Sequence, residues 1–172
     1  MRRALCLLLV VGCGDVSGQG DFPGAVVYTA ADESFRVRYL DPPWRVTDAE
    51  PPTILRMVAE LRGGVLGGVA SDAPTHLLDV FLAPESTVQA ACESAEVAAV
   101  ALGASIQVEQ RQVDNFFGDT GHEFLSSDPI GFRHRDAFFS LPDGRVLRLA
   151  FATPLDPDDP GIDLILDGFE PL

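Results

Sequence analysis

Residues 132–153, FRHRDAFFSLPDGRVLRLAFAT, constrain the fold more than any other stretch. Two strand-like runs are joined there by Leu141-Pro142-Asp143-Gly144. Proline presets the first turn position, and glycine accepts the positive φ that closes the turn. The second run directs Leu147, Leu149 and Phe151 to one face, the period-two signature of a half-buried strand. Phe132–Leu141 and Arg145–Thr153 are therefore expected as antiparallel neighbours. An isolated hairpin is marginal in water, so the rest of the chain must supply more sheet and a covering layer.

Several other segments carry the same period. Ser34–Leu40 places Phe35, Val37 and Tyr39 on one face and Ser34, Arg36 and Arg38 on the other. Asp41-Pro42-Pro43 breaks the run and Trp44-Arg45-Val46 resumes it. Ile54–Leu61 sets Leu55, Met57, Ala59 and Leu61 against Arg56 and Glu60, and His76–Ala83 turns Leu78, Val80 and Leu82 one way. Gly63-Gly64 and Gly67-Gly68 mark turns around Val65-Leu66. Ile106–Val113 and His122–Ser127 complete the predicted strands.

The period changes between Ser86 and Leu102. Ser86 with Gln89 three residues on reads as a capping box. Val88, Cys92, Ala95, Ala99 and Leu102 then form one helical stripe, with Gly103 at the C′ position. The small residues of this stripe predict close packing of the helix on a sheet. A short terminal helix is expected from Asp159 as N-cap and Pro160 at the first turn. It would dock through Ile162, Ile165, Leu166 and Phe169. Strands, one long helix, more strands and one short helix predict an α+β fold, an antiparallel sheet with helices packed on it.

The N-terminus reads as an address. Arg2 and Arg3 precede an uncharged apolar run, Ala4–Val11, closed by Gly12-Cys13. About eight apolar residues are too few to span a bilayer, which needs ~20, but they suit the core of an export signal. Val10-Val11-Gly12-Cys13 resembles the lipobox of bacterial lipoproteins. That resemblance implies cleavage before Cys13 and a diacylglyceryl group on its sulfur; the other readings are an ordinary secretory signal and a cytosolic protein with an apolar start. Residues 1–12 are thus expected as signal peptide, 13–24 as lipidated cysteine and flexible tether, and 25–172 as one globular domain. Gly14 after the cysteine, in place of Asp, favours the outer membrane by analogy with the enterobacterial sorting rule.

Strand, Tyr39-Leu40-Asp41-Pro42-Pro43-Trp44, mid-chain helix, late hairpin and short C-terminal helix together resemble the PsbP-type α/β/α sandwich. That family includes extrinsic subunits of photosystem II and bacterial lipoproteins. It has no shared catalytic residues to carry over, so the resemblance implies a binding or assembly role and no enzyme activity or cofactor.

Charge narrows the partners. The chain carries a formal −14, and all 12 basic residues are arginine. Loss of residues 1–12 removes two arginines and no acid, which leaves −16. Nucleic-acid binding needs clustered cations and adhesion to anionic lipid needs a basic patch, so neither is expected. The lipid on Cys13 would hold the protein to its membrane, where the partner is an unidentified protein or small ligand.

Four local patterns invite chemistry. Asp119-Thr120-Gly121 matches half of an aspartic-protease pair, which requires two such carboxylates; the sequence has no second Asp-Thr-Gly or Asp-Ser-Gly, and a turn between Phe117 and Phe124 is the expectation. His134-Arg135-Asp136 matches the opening of a kinase catalytic loop without its Asn or a glycine-rich loop, and a solvated strand face is the expectation. Asp156, Asp158, Asp163 and Asp167 are the best calcium-loop candidates, although Pro157 and Pro160 stiffen the segment and Asp167 is short for a bidentate ligand. Cys92, on the helical stripe, reads as packing; His76, His122 and His134 are too far apart in sequence for local metal spacing. A small hydrolase with dispersed catalytic residues and a divalent-cation-binding lipoprotein stay as alternatives to the binding module.

Overall fold

Residues 25–41, 44–59, 65–66, 69–70, 76–114, 120–154 and 165–172 are described by the computed structural model. In order these form β1 (Ala25–Thr29), β2 (Phe35–Leu40), β3 (Trp44–Thr47), β4 (Thr53–Ala59), β5 (Val65–Leu66), β6 (Val69–Ala70) and β7 (His76–Ala83). Helix α1 (Val88–Ala101) follows, then β8 (Ser105–Asp114), β9 (Thr120–Ser127), β10 (Arg133–Ser140), β11 (Val146–Thr153) and β12 (Phe169–Pro171). A helical turn at 165–167 precedes β12.

The hairpin forms as its turn chemistry requires. β10 and β11 pair antiparallel from Arg133↔Thr153 to Ser140↔Val146, and Gly144 closes the turn at φ 85°. Around it assembles a seven-stranded sheet in the order β3-β4-β7-β11-β10-β9-β8, every neighbour antiparallel. A second, three-stranded sheet has the order β1-β2-β12. Its Phe35, Val37, Tyr39 and Phe169 share one apolar core with Met57, Val80, Phe139, Leu149 and Phe151 of the large sheet. Ile165 and Leu166 of the helical turn enter the same core. Phe169 stacks on Phe35 at 5.1 Å and on Phe139 at 6.3 Å between centroids. Burying side chains of this size contributes about 1.5–3 kcal/mol each, so these rings hold the two sheets together.

The opposite face of the large sheet carries α1. Ala91, Cys92 and Ala95 meet Phe124, Phe138 and Val146 in a separate apolar cluster. The molecule is mostly antiparallel β-structure with one long helix packed on it and a short C-terminal helical turn. It is richer in strand than the expected arrangement, because β1 and β12 build a layer that the sequence reading lacked. Phe169 is the reason: its spacing from Ile162 fits a helix, yet it opens a strand that pairs with Val37 of β2.

Other expectations shift by a residue or a face. The α1 N-cap is Thr87, whose side-chain oxygen accepts from the Ala90 N–H at 3.2 Å. Ser86 therefore lies outside the helix, and Gln89 donates to Glu93 one turn on instead of closing a capping box. Leu102, expected on the buried stripe, is 84% exposed, because the helix ends there and Gly103 turns the chain at φ 89°. Thr120 to Glu123 belong to strand β9 and not to a turn. Asp159, Pro160 and Ile162 lie outside the described residues.

An electrostatic clasp ties the layers at one end. Arg145, at the hairpin tip, bonds Asp143 of its own turn and Asp32 of the β1–β2 connection. The Ser34 hydroxyl, then Arg145, holds the Asp32 carboxyl at a pKa of about 2.

Candidate functional site

Between α1 and the large sheet lies a groove of about 420 Å³, within the ~300–1,000 Å³ typical of small-molecule sites. One wall is the α1 face of Ala91, Ser94, Ala95 and Ala98; the other is Phe81 and Phe138 with Arg148. Pro52 and the Leu82–Glu85 segment complete the rim. The short side chains of α1 that allow the helix to approach the sheet also leave this space open on its flank.

Arg148 is the polar centre of the groove. Its guanidinium carbon lies 5.8 Å from the Phe81 ring centroid and 5.9 Å from that of Phe138, in cation–π range. These contacts and a 2.7 Å bond from Nε to Asp136 Oδ1 fix its plane. The neighbouring Arg56–Asp79 pair differs: Arg56 gives Asp79 both Nε and Nη2, at 2.6 and 2.7 Å. Arg148 binds Asp136 through Nε alone, so its Nη groups keep their donors. Its side chain is 35% exposed.

Asp136 is 4% exposed. Burial pushes its carboxyl above the usual carboxylate range, against the opposing pull of Arg148 and His134. Arg135, next in sequence, points to the other face and is 5% exposed. It donates to Glu123 at 2.8 Å, and Arg111 donates to the other oxygen of the same carboxylate at 2.7 Å. Two charges expected on a solvated strand face are therefore buried and paired. The cause is tertiary: each finds its counter-charge 12 residues away on an adjacent strand, and a buried ion needs such a partner.

The remaining sequence candidates disperse. His134 Nε2 lies 3.2 Å from Asp128 Oδ2, and Asp128 also accepts backbone N–H bonds from Ile130 and Phe132 across its turn. His76 lies against Trp44 with the rings tilted and their centroids 5.9 Å apart, and His122 stands on β9. Among the described residues no three His, Cys, Asp or Glu side chains come together to hold a metal. Cys13, Asp119, Asp156, Asp158 and Asp163 lie outside the described residues; Asp167 closes the helical turn before β12.

Cys92 is fully buried under α1. Burial, with Glu96 and Asp136 nearby, pushes its thiol up to about 12. At pH 8 about one molecule in ten thousand carries the reactive thiolate. Iodoacetamide at that pH is expected to leave Cys92 unmodified in the folded protein and to alkylate it completely in urea, read by peptide mass. Rapid labelling of the native protein would contradict the packing assigned here.

The groove itself escaped the sequence. The alternation of β11 put Arg148 opposite Leu147 and Leu149, and the helical stripe flagged the small residues of α1. Nothing local brought the two together.

No protein-family model and no curated protein sequence matches the chain. A solved structure from Bacteroides thetaiotaomicron VPI-5482 is similar at a TM-score of 0.47 and 9% identity. The match covers 87% of this chain and 49% of that one, so the chain spans about half the length of that neighbour. No helix among the described residues is long and apolar enough to cross a membrane.

Proposed function

We propose that this chain is a lipid-anchored module of the bacterial cell envelope that binds a small ligand in the groove beside α1, without catalysing a reaction. The observation that carries the binding role is the groove: apolar walls with one fixed guanidinium are the composition of a ligand site. The anchoring role rests on Arg2-Arg3, the apolar run and Val10-Val11-Gly12-Cys13. Two acyl chains on Cys13 anchor stably, since each buried CH₂ contributes ~0.8 kcal/mol. Residues 13–24 would serve as a tether and 25–172 as the binding domain, on the outer membrane because Gly14 follows the cysteine. The finer architecture we assign is the PsbP-type α/β/α sandwich. In its favour, α1 and the 165–167 turn contribute to cores on opposite faces of the large sheet.

Two readouts test the two halves. In a bacterial host the full chain should incorporate labelled palmitate and sediment with outer membranes, whereas Cys13→Ser should do neither; equal labelling of both ends the anchoring proposal. Native mass spectrometry after incubation with envelope extract should show added small-molecule mass on the full chain. Ala98→Phe, which fills the groove from an exposed helix position, should lose that mass. Identical spectra for both would remove the groove from the account.

A further inference from the structure

We infer that the groove selects an apolar carboxylate, and that Arg148 is the residue that reads the carboxylate. The inference rests on the groove being a ligand site, as proposed above, and it adds the chemical class.

Geometry supplies the first part. Ala91, Ala95 and Phe138 pack on one another at the floor of the groove and are almost fully buried. The surface a ligand meets is therefore that of Pro52, Phe81, Leu82, Pro84 and Ala98, with Ser94 the one polar side chain of the α1 wall. Such a lining suits an apolar body.

The head group follows from the state of Arg148. Its plane is fixed by two aromatic rings and by Nε on Asp136, and it forms no further hydrogen bond among the described residues. A planar pair of Nη donors matches the two oxygens of a carboxylate in fork geometry. Charge argues for a monoanion over a phosphate. Asp136 already offsets much of the guanidinium charge, and Glu85 stands on the rim. Beside these two acids each further negative charge on the head adds repulsion, so a carboxylate, with one charge spread over two acceptor oxygens, is favoured over a doubly charged phosphate. A neutral alcohol would fill the groove and leave the fork unused.

The test uses the full chain with Cys13→Ser, handled without detergent, and decanoate below its micellar range as probe. Calorimetry should find decanoate bound at least tenfold more tightly than 1-decanol. Arg148→Gln should abolish that preference while leaving decanol affinity within twofold. Arg148→Lys, which keeps the charge and loses the fork, should retain only part of it. Ala98→Phe should weaken both probes more than tenfold; near-UV circular dichroism identifies any variant that has lost its fold. If decanol and decanoate bind equally, Arg148→Gln changes neither and Ala98→Phe blocks both, the groove is a ligand site and the carboxylate class is wrong. If decanoate does not bind, or binds as well to Ala98→Phe, the inference is overturned, and the envelope-extract experiment decides the groove separately.

Discussion

Glu123→Leu is expected to lower stability by about 3–5 kcal/mol, the cost of breaking a buried ion pair by removing one partner. Glu123 is 1% exposed in its side chain and holds two guanidinium groups, Arg135 at 2.8 Å and Arg111 at 2.7 Å. These two cations are not equivalent. The Arg111 side chain is half in water, so solvent replaces the carboxylate there, and Arg111→Met should cost less than ~1 kcal/mol. Arg135 is buried beside Leu125 and Phe151, where the Glu123 carboxylate offsets its desolvation. The double variant Glu123→Leu/Arg135→Met should therefore be more stable than Glu123→Leu alone, with a coupling of about 1–3 kcal/mol. Urea unfolding with an unchanged slope measures the parent, these three variants and Arg135→Met alone, which completes the cycle. A Glu123→Leu loss below ~0.5 kcal/mol would show that the carboxylate is not the counter-charge of Arg135.

The same triad marks the limit of reading this chain from its sequence. Period two made β2, β7 and β11 legible, because each alternates along its length; β10 was legible from its turn to β11, since Arg135 to Phe139 are buried on both faces. β1 was not legible. Its Val26 and Val27 are both exposed at a sheet edge, so AVVYT shows no alternation to read. β12 is three residues long and ends in Pro171, and its Phe169 satisfied a helical period as well as a strand. Without those two strands the second sheet could not be foreseen. The charged residues failed for another reason. Arg135, Asp136 and Arg148 look like surface when taken one at a time, since lone charges seldom tolerate burial. Their partners are set by strand register, which is decided by the whole sheet. The groove depends on that register too: Phe138 stands opposite Arg148, while Phe81 pairs with Arg148 from the other side. One cation between two rings on adjacent strands is a product of pairing, invisible until β7, β11 and β10 lie side by side.

Gly121→Ala should destabilise the protein by about 3 kcal/mol or more, an effect out of proportion to one methyl group. In the Asp119-Thr120-Gly121 pattern glycine invites a catalytic or turn reading, but Gly121 is a buried strand residue opposite Val113 of β8. A Cβ there would stand 2.4 Å from the Phe138 carbonyl oxygen and 2.7 Å from the Phe139 ring. Neither neighbour can yield cheaply. The carbonyl belongs to the β9–β10 ladder, and Phe139 is fully buried, stacked on Phe169 where the two sheets meet. Overpacking of this kind costs about 1–3 kcal/mol when side chains can shift, and a fixed backbone atom puts the site at the upper end. The two contacts are separable. Phe139→Leu removes the ring clash and opens a cavity of its own, at about 1–3 kcal/mol. In the double variant the losses should fall short of additive by about 1 kcal/mol or more. The remainder is the carbonyl contact, which no side-chain change relieves. Full additivity would mean that the ring already moves aside and that the backbone oxygen alone excludes a side chain. A Gly121→Ala protein as stable as the parent would mean that β9 does not lie against β10 at this register. The glycine is then a packing residue: it lets the Phe139 ring lie over the strand, and with Phe169 that ring joins the second sheet to the first.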